Sequence, residues 1–306
     1  MLELIDPLII FLNLLPAVLM TESQQEIVPR TEFVEYRPGT INLVISIPHG
    51  GEIRPLYLTN RSEGCRMDGN CVYKNDELRT KCPPSNICKI VTGGDEFTVE
   101  LGTAMVQQYK RITGETPHVV VAKLHRTKVD FNRGADEGAQ GDKQALDIHR
   151  DYHDTLRKVK DSLKGVGLVI DLHGQNHGKN STELGYRYLT EELNTGIFTT
   201  TPSIRSLMSR KELNVENILY GDESLGKLFE DEGYKALPSP RQPSPGQDKY
   251  YRGGYITEEY GSSQGGDVDA IQIEVPGEIR RDEMVRGLYA DSLARILSTF
   301  FKQNYL

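Results

Sequence analysis

Three apolar runs constrain this chain most, because each one delivers a chemically useful residue at its carboxyl end. Residues 41–48 (INLVISIP), 166–172 (VGLVIDL) and 270–275 (AIQIEV) are nearly continuous in aliphatic, mostly β-branched residues, the composition of strands buried on both faces. His49 follows the first run directly, His173 follows the second, and Glu274 lies near the end of the third. A fourth run, 118–122 (HVVVA), precedes the segment LHRTKVDFNR at 124–133. Helical stretches alternate with these runs. Asp95 or Thr98 is positioned to cap a helix reaching about residue 113, residues 142–164 form a second, 202–236 suggest short helices, and 281–303 form a closing amphipathic helix. The alternation specifies an α/β domain. In open α/β sheets ligands bind at the carboxyl ends of the strands, which is where the two histidines and the acid fall.

Composition narrows the partners. The 306 residues carry 36 Lys and Arg against 44 Asp and Glu, a net charge of −8, with no long basic run. That balance argues against nucleic acid. A mean hydropathy of −0.47 excludes a polytopic membrane protein, and 37% hydrophobic residues exclude a disordered chain. The length suits one large domain, and no linker divides it.

Residues 7–20 (PLIIFLNLLPAVLM) form a 14-residue apolar run, shorter than the roughly 20 residues a membrane-spanning helix needs. The run fits the core of a signal peptide over residues 1–23, although MLELID supplies two acids where basic residues are expected. A helix docked on the core is the alternative. All four cysteines, Cys65, Cys71, Cys82 and Cys88, lie within 24 residues as two C-x5-C pairs. The spacing is wider than that of zinc knuckles and reads as disulfides. Three pairings are open, with the local loops 65–71 and 82–88 preferred. Asn60 and Asn180 begin glycosylation sequons. Together these features describe a secreted or secretory-lumen protein. The expected organisation is a single domain over 24–306 with a disulfide-rich insertion at about 53–94, and no stable membrane span.

Two histidines and acids at strand ends are the parts of a zinc site with three protein ligands and one open position. In 124–133, Arg126, Lys128 and Arg133 accompany Asp130 and Asn132, either as a clamp for a substrate carboxylate or as Arg–Asp pairs that tie the loop to the sheet. Asp171 either orients His173 or terminates its strand. His149 and His153 are four apart on a helix with charges on most faces, which places them on a solvated surface.

Taken in order, SIPHGG (46–51), DEFTVELG (95–102), LHRTKVDFNR (124–133), DLHGQNH (171–177), ELGYRY (183–188), RGGYITEEYG (252–261) and AIQIEV (270–275) resemble the N-formylglutamate amidohydrolase family, which is related to the zinc carboxypeptidases. VDFNR is also similar to the segment with which carboxypeptidases hold a substrate's terminal carboxylate. The resemblance implies a three-layer α/β sandwich around a central mixed sheet, zinc-carboxypeptidase-like, with one zinc ion per chain. Its ligands would be His49, Asp95 and His173, with Glu52 as the rival acid. Glu274 would be the catalytic base and Arg126 the oxyanion cation. Asn132 and Arg133 would hold a carboxylate, with His177 and Gly254 also lining the substrate site. The implied activity is hydrolysis of an amide in an N-formyl or N-acyl amino acid, or in a peptide end, bearing a free carboxylate. A secreted carboxypeptidase or γ-glutamyl hydrolase is the near alternative. A catalytically silent carboxylate-binding module is the alternative from another class.

Overall fold

A computed structural model describes residues 27–73 and 86–306; the expected leader and Cys82 lie outside the described residues. Seven strands form one mixed sheet. In chain order they are β1 (Val34–Arg37), β2 (Leu43–Ile47), β6 (His118–Ala122), β7 (Gly167–Gln175), β8 (Thr182–Gly185), β9 (Ala236–Leu237) and β10 (Val268–Pro276). Their spatial order is β1-β6-β2-β7-β10-β8-β9. The central four, β6, β2, β7 and β10, run parallel. β1 pairs antiparallel with β6, and β8 antiparallel with β10. The parallel core makes the carboxyl ends of four strands open on one side.

Alternation along the strands divides the core between two faces. Leu43, Ile45, Ile47, Leu168, Ile170, Leu172, Ile271 and Ile273 pack with α1 (Thr98–Thr113), α10 (Glu283–Tyr305) and the short helices α5 (Arg205–Arg210), α6 (Val215–Tyr220) and α7 (Leu225–Asp231). Val44, Val169 and Ala270 point the other way, against α3 (Lys143–Ser162) and α8 (Tyr255–Tyr260). This gives the expected three layers. On the second face the period of two continues past these residues into Ser46, Asp171, His173, Gln272 and Glu274, all buried. Register sets Ser46 beside Asp171, Asp171 beside Gln272, and His173 beside Glu274. The apolar face thus turns polar at the strand ends.

Three expectations change. Neither Asp95 nor Thr98 caps α1. Phe97 occupies that position with φ 64°, its ring under the Arg286 guanidinium at 4.9 Å, and the Asp95 side chain is turned inward. His149 and His153 are buried on α3, not solvated, because they share a stripe with Ala145, Ile148, Tyr152, Leu156 and Val159. The insertion contains a small sheet, β4 (Asn70–Val72), β3 (Gly64–Met67) and β5 (Ile87–Cys88), with β3 in the middle. A disulfide joins Cys71 to Cys88, which excludes both local loops. Cys71 and Cys88 lie on the outer strands β4 and β5, so the pairing spans the small sheet.

Candidate metal centre and active site

His49 leaves the end of β2, His173 lies on β7, and Asp95 sits in the turn before α1 with its backbone N–H donating to the His49 carbonyl at 2.9 Å. Their donor atoms converge. His49 Nδ1 and His173 Nδ1 are 3.1 Å apart, and Asp95 Oδ2 is 2.9 Å from the latter and 3.4 Å from the former. All three residues are buried. Glu52, the rival acid, is exposed and is not part of the cluster.

The opposite ring nitrogens are fixed by carboxylates. His49 Nε2 lies 2.7 Å from Asp130 Oδ1, and His173 Nε2 lies 2.8 Å from Asp171 Oδ2. Hydrogens placed on both Nε2 atoms direct the Nδ1 lone pairs toward one point. A carboxylate behind each ligating imidazole is the usual way metal-binding histidines are oriented. Asp171 therefore orients His173, and β7 continues past it to Gln175. Burial alone would raise the Asp95 carboxyl, yet hydrogen bonds from His173 and His49 outweigh it and hold the group below the ordinary range. Burial also opposes the charged form of His173, but Asp171 and Asp95 raise it well above the usual imidazole value. Buried carboxylates surround the two imidazoles, and the converging donors fit a three-ligand metal site.

Glu274 stands beside His173 in register. Its Oε1 accepts from Gln272 Nε2 at 2.8 Å, Gln272 Oε1 accepts from Asn132 Nδ2 at 3.2 Å, and Asn132 Oδ1 accepts from the Ile256 N–H at 2.9 Å. This chain of amides leaves Glu274 Oε2 buried with no partner among the described residues. Burial, moderated by His173 and reinforced by Asp95 and Glu183, pushes Glu274 up to about 8. A buried, unpaired acid oxygen is costly and makes Glu274 a candidate for chemistry.

Arg126 is nearly buried, its Nε donating to Asp130 Oδ2 at 2.7 Å; its terminal nitrogens have no hydrogen bond among the described residues. Arg133 lines the cavity, but its Nε is paired with Glu137 at 3.2 Å and its Nη1 donates to the Asn132 carbonyl. Asn132 is drawn into the Glu274 chain, so its carboxamide is engaged inside the protein. A Cβ on Gly254 would come within 2.7 Å of that carboxamide, so the glycine permits the approach of Asn132. His177 faces the cavity with Nδ1 held by Glu183 at 2.7 Å and its ring against Tyr251.

These residues border an open cavity of about 800 Å³. Several of its supports escaped sequence reading. The sequence groups Asp130 with its neighbouring arginines, whereas the fold gives it to His49 as well. Gln272 and Glu183 had no signal beyond their alternation with Glu274 and within ELGYRY. Arg61 sits inside a sequon whose Asn60 is exposed, yet its own guanidinium is buried, bonded to the Val91 and Arg126 carbonyls and 3.4 Å from Asp130. No helix among the described residues is long and apolar enough to cross a membrane.

Neither a protein-family model nor a curated protein sequence matches the chain. Among solved structures, N-formylglutamate amidohydrolase from Ralstonia eutropha matches with a TM-score of 0.52 at 15% identity, over 89% of this chain and 97% of that one. A gene product of Agrobacterium tumefaciens matches with a TM-score of 0.50 at 9% identity, over 92% and 98%. The likeness establishes a shared fold across nearly the full length of those proteins.

Proposed function

We propose that this chain, which has the fold of N-formylglutamate amidohydrolase, is a zinc-dependent amide hydrolase acting on a substrate with a free carboxylate. The observation that carries the reading is the pair of Nδ1 atoms, 3.1 Å apart beside Asp95, each on an imidazole anchored from behind by a carboxylate. His49, Asp95 and His173 would hold one zinc ion, which supplies a polarising dication and an activated water when bound.

The remaining chemistry belongs to the chain. Glu274 Oε2 is the free acid oxygen beside His173, placed to accept the attacking water's proton and return it to the departing amine. The amide relay from Ile256 through Asn132 and Gln272 holds the other carboxyl oxygen, so that only this one is left unpaired among the described residues. Arg126, anchored through Nε, offers its terminal nitrogens to the developing oxyanion. Arg133 supplies the nearby guanidinium for the substrate carboxylate. The Cys71–Cys88 disulfide and the exposed Asn60 and Asn180 support a secretory setting.

The test is turnover. Zinc-loaded protein should hydrolyse at least one of a panel of N-formyl, N-acyl and peptidyl amino acids. Glu274→Gln should bind zinc normally and lose at least about a hundredfold in kcat. An active Glu274→Gln enzyme contradicts the assignment of the base.

A further inference from the structure

We infer that the substrate is a peptide, not a singly N-acylated amino acid, and that its acyl-side residues occupy a second cavity beside the first; this rests on the amide-hydrolase reading above. The second cavity measures about 370 Å³ and shares Asn176, His177 and Lys249 with the main one. The main cavity already lies in the upper part of the roughly 300–1,000 Å³ range that takes drug-sized ligands. A formyl group would leave the adjoining space empty.

Position sets the direction. Arg133 belongs to the loop after β6, on one flank of the metal cluster in the sheet order. The second cavity is built on β8 and on the segment that follows β9, at the other edge. A substrate whose carboxylate meets Arg133 and whose scissile carbonyl lies at the cluster extends its acyl side toward β8.

The lining matches a peptide backbone. Glu183 is buried, its Oε2 accepting from the Tyr251 N–H at 2.8 Å and its Oε1 lying 2.7 Å from His177 Nδ1; facing the ionised carboxylate, the imidazole carries its hydrogen on Nδ1. His177 Nε2 is then an acceptor. It is buried with no partner among the described residues. Gln242 accepts from Ser181 Oγ at 3.3 Å through Oε1, which leaves its amide hydrogens as donors. An unfilled acceptor and an unfilled donor line the same space and suit an amide N–H and C=O. Lys179 and Asp248 neutralise one another at the rim, which leaves Lys249, at the seam with the main cavity, as the other cation of the lining. Among the described residues no Phe, Tyr or Trp lines this cavity, which disfavours a stacked sugar ring.

The experiment uses zinc-loaded full chain and a series with one carboxyl-terminal residue: N-formyl, N-acetyl, then one, two and three alanines on the acyl side. The expected result is a rise in kcat/KM of at least about tenfold from N-formyl to the longest peptide, abolished in a folded Gln242→Trp variant that fills the cavity. Equal kcat/KM along the series, or a length preference that survives Gln242→Trp, overturns the inference. Calorimetric binding of the longest peptide to zinc-loaded Glu274→Gln protein separates the two claims. Binding that Gln242→Trp weakens at least about tenfold supports the subsite even if no substrate turns over, a result that would sink only the hydrolase reading. Binding unaffected by Gln242→Trp, or stronger binding of an oligosaccharide than of the peptide, counts against the inference.

Discussion

The Arg280 guanidinium occupies the space that a side chain on Gly174 would need: a Cβ there would collide with it. Arg280 is 1% exposed and has no carboxylate at ion-pair distance among the described residues. It donates instead to the carbonyls of Val275, Gln175 and Glu96. Those carbonyls adjoin Glu274, follow His173 on its strand and adjoin Asp95, so one side chain ties together the three segments that carry the site. Arg280→Met should cost at least about 3 kcal/mol, since each orphaned buried acceptor costs about 1–3 kcal/mol. Gly174→Ala should cost about 1–3 kcal/mol by overpacking. Because both act through the same guanidinium, the double variant should lose clearly less than the sum of the single losses. Denaturant unfolding checks this, and simple additivity would contradict the shared mechanism.

Asp130 predicts a loss of a different kind. Its Oδ1 accepts from His49 Nε2 and from the Asn132 N–H, and its Oδ2 accepts from Arg126. Burial would raise this carboxyl, but Arg126 and His49 hold it well below the ordinary range. Asp130→Asn removes the charge that orients His49 and leaves two buried guanidiniums, Arg126 and Arg61, without a carboxylate at the centre. Zinc affinity should fall about 10–100-fold, read by competition with a chelator. Stability should fall by about 3–5 kcal/mol. A variant with unchanged zinc affinity would show that His49 does not depend on Asp130.

Away from the site, Glu192 on α4 (Thr190–Thr195) gives a pH prediction. Its carboxylate accepts from the N–H groups of Leu189, Thr199 and Thr200. Burial acts to raise it, and these bonds win, lowering it to about 2. A depressed carboxyl stabilises the fold fully above its unfolded value of about 4.5 and loses that contribution as pH falls toward 2. The contribution near pH 7 is about 3 kcal/mol, at about 1.4 kcal/mol per unit. Glu192→Gln should therefore be less stable than the parent at pH 7, with the difference shrinking through pH 4.5 to 2. Chemical denaturation at several pH values measures it, and a gap independent of pH would refute the assignment.

Much of the site was legible because its residues ride on strands whose hydrophobicity is unmistakable. INLVISIP, VGLVIDL and AIQIEV place His49, His173 and Glu274 at the carboxyl ends of their strands. Asp95 emerged from the resemblance, and its inward turn depends on the left-handed Phe97, which propensity does not announce. Residues that act through backbone carbonyls were hidden. Arg280 bonds to positions 105 and 184 residues earlier, and nothing in its own segment, GEIRR, points there. The cysteine pairing failed for a related reason, since chain proximity favours small loops whereas the partners were chosen by strands on either side of β3. For His149 and His153 the buried period from Ala145 to Val159 was present but obscured by the charged residues between.

The most direct measurement of the central claim is the zinc content of dialysed full-length protein, with His173→Ala as its control. The account predicts close to one zinc per chain in the parent and almost none in the variant. A parent that cannot be loaded to stoichiometry, or a variant that holds zinc as well as the parent, would contradict it.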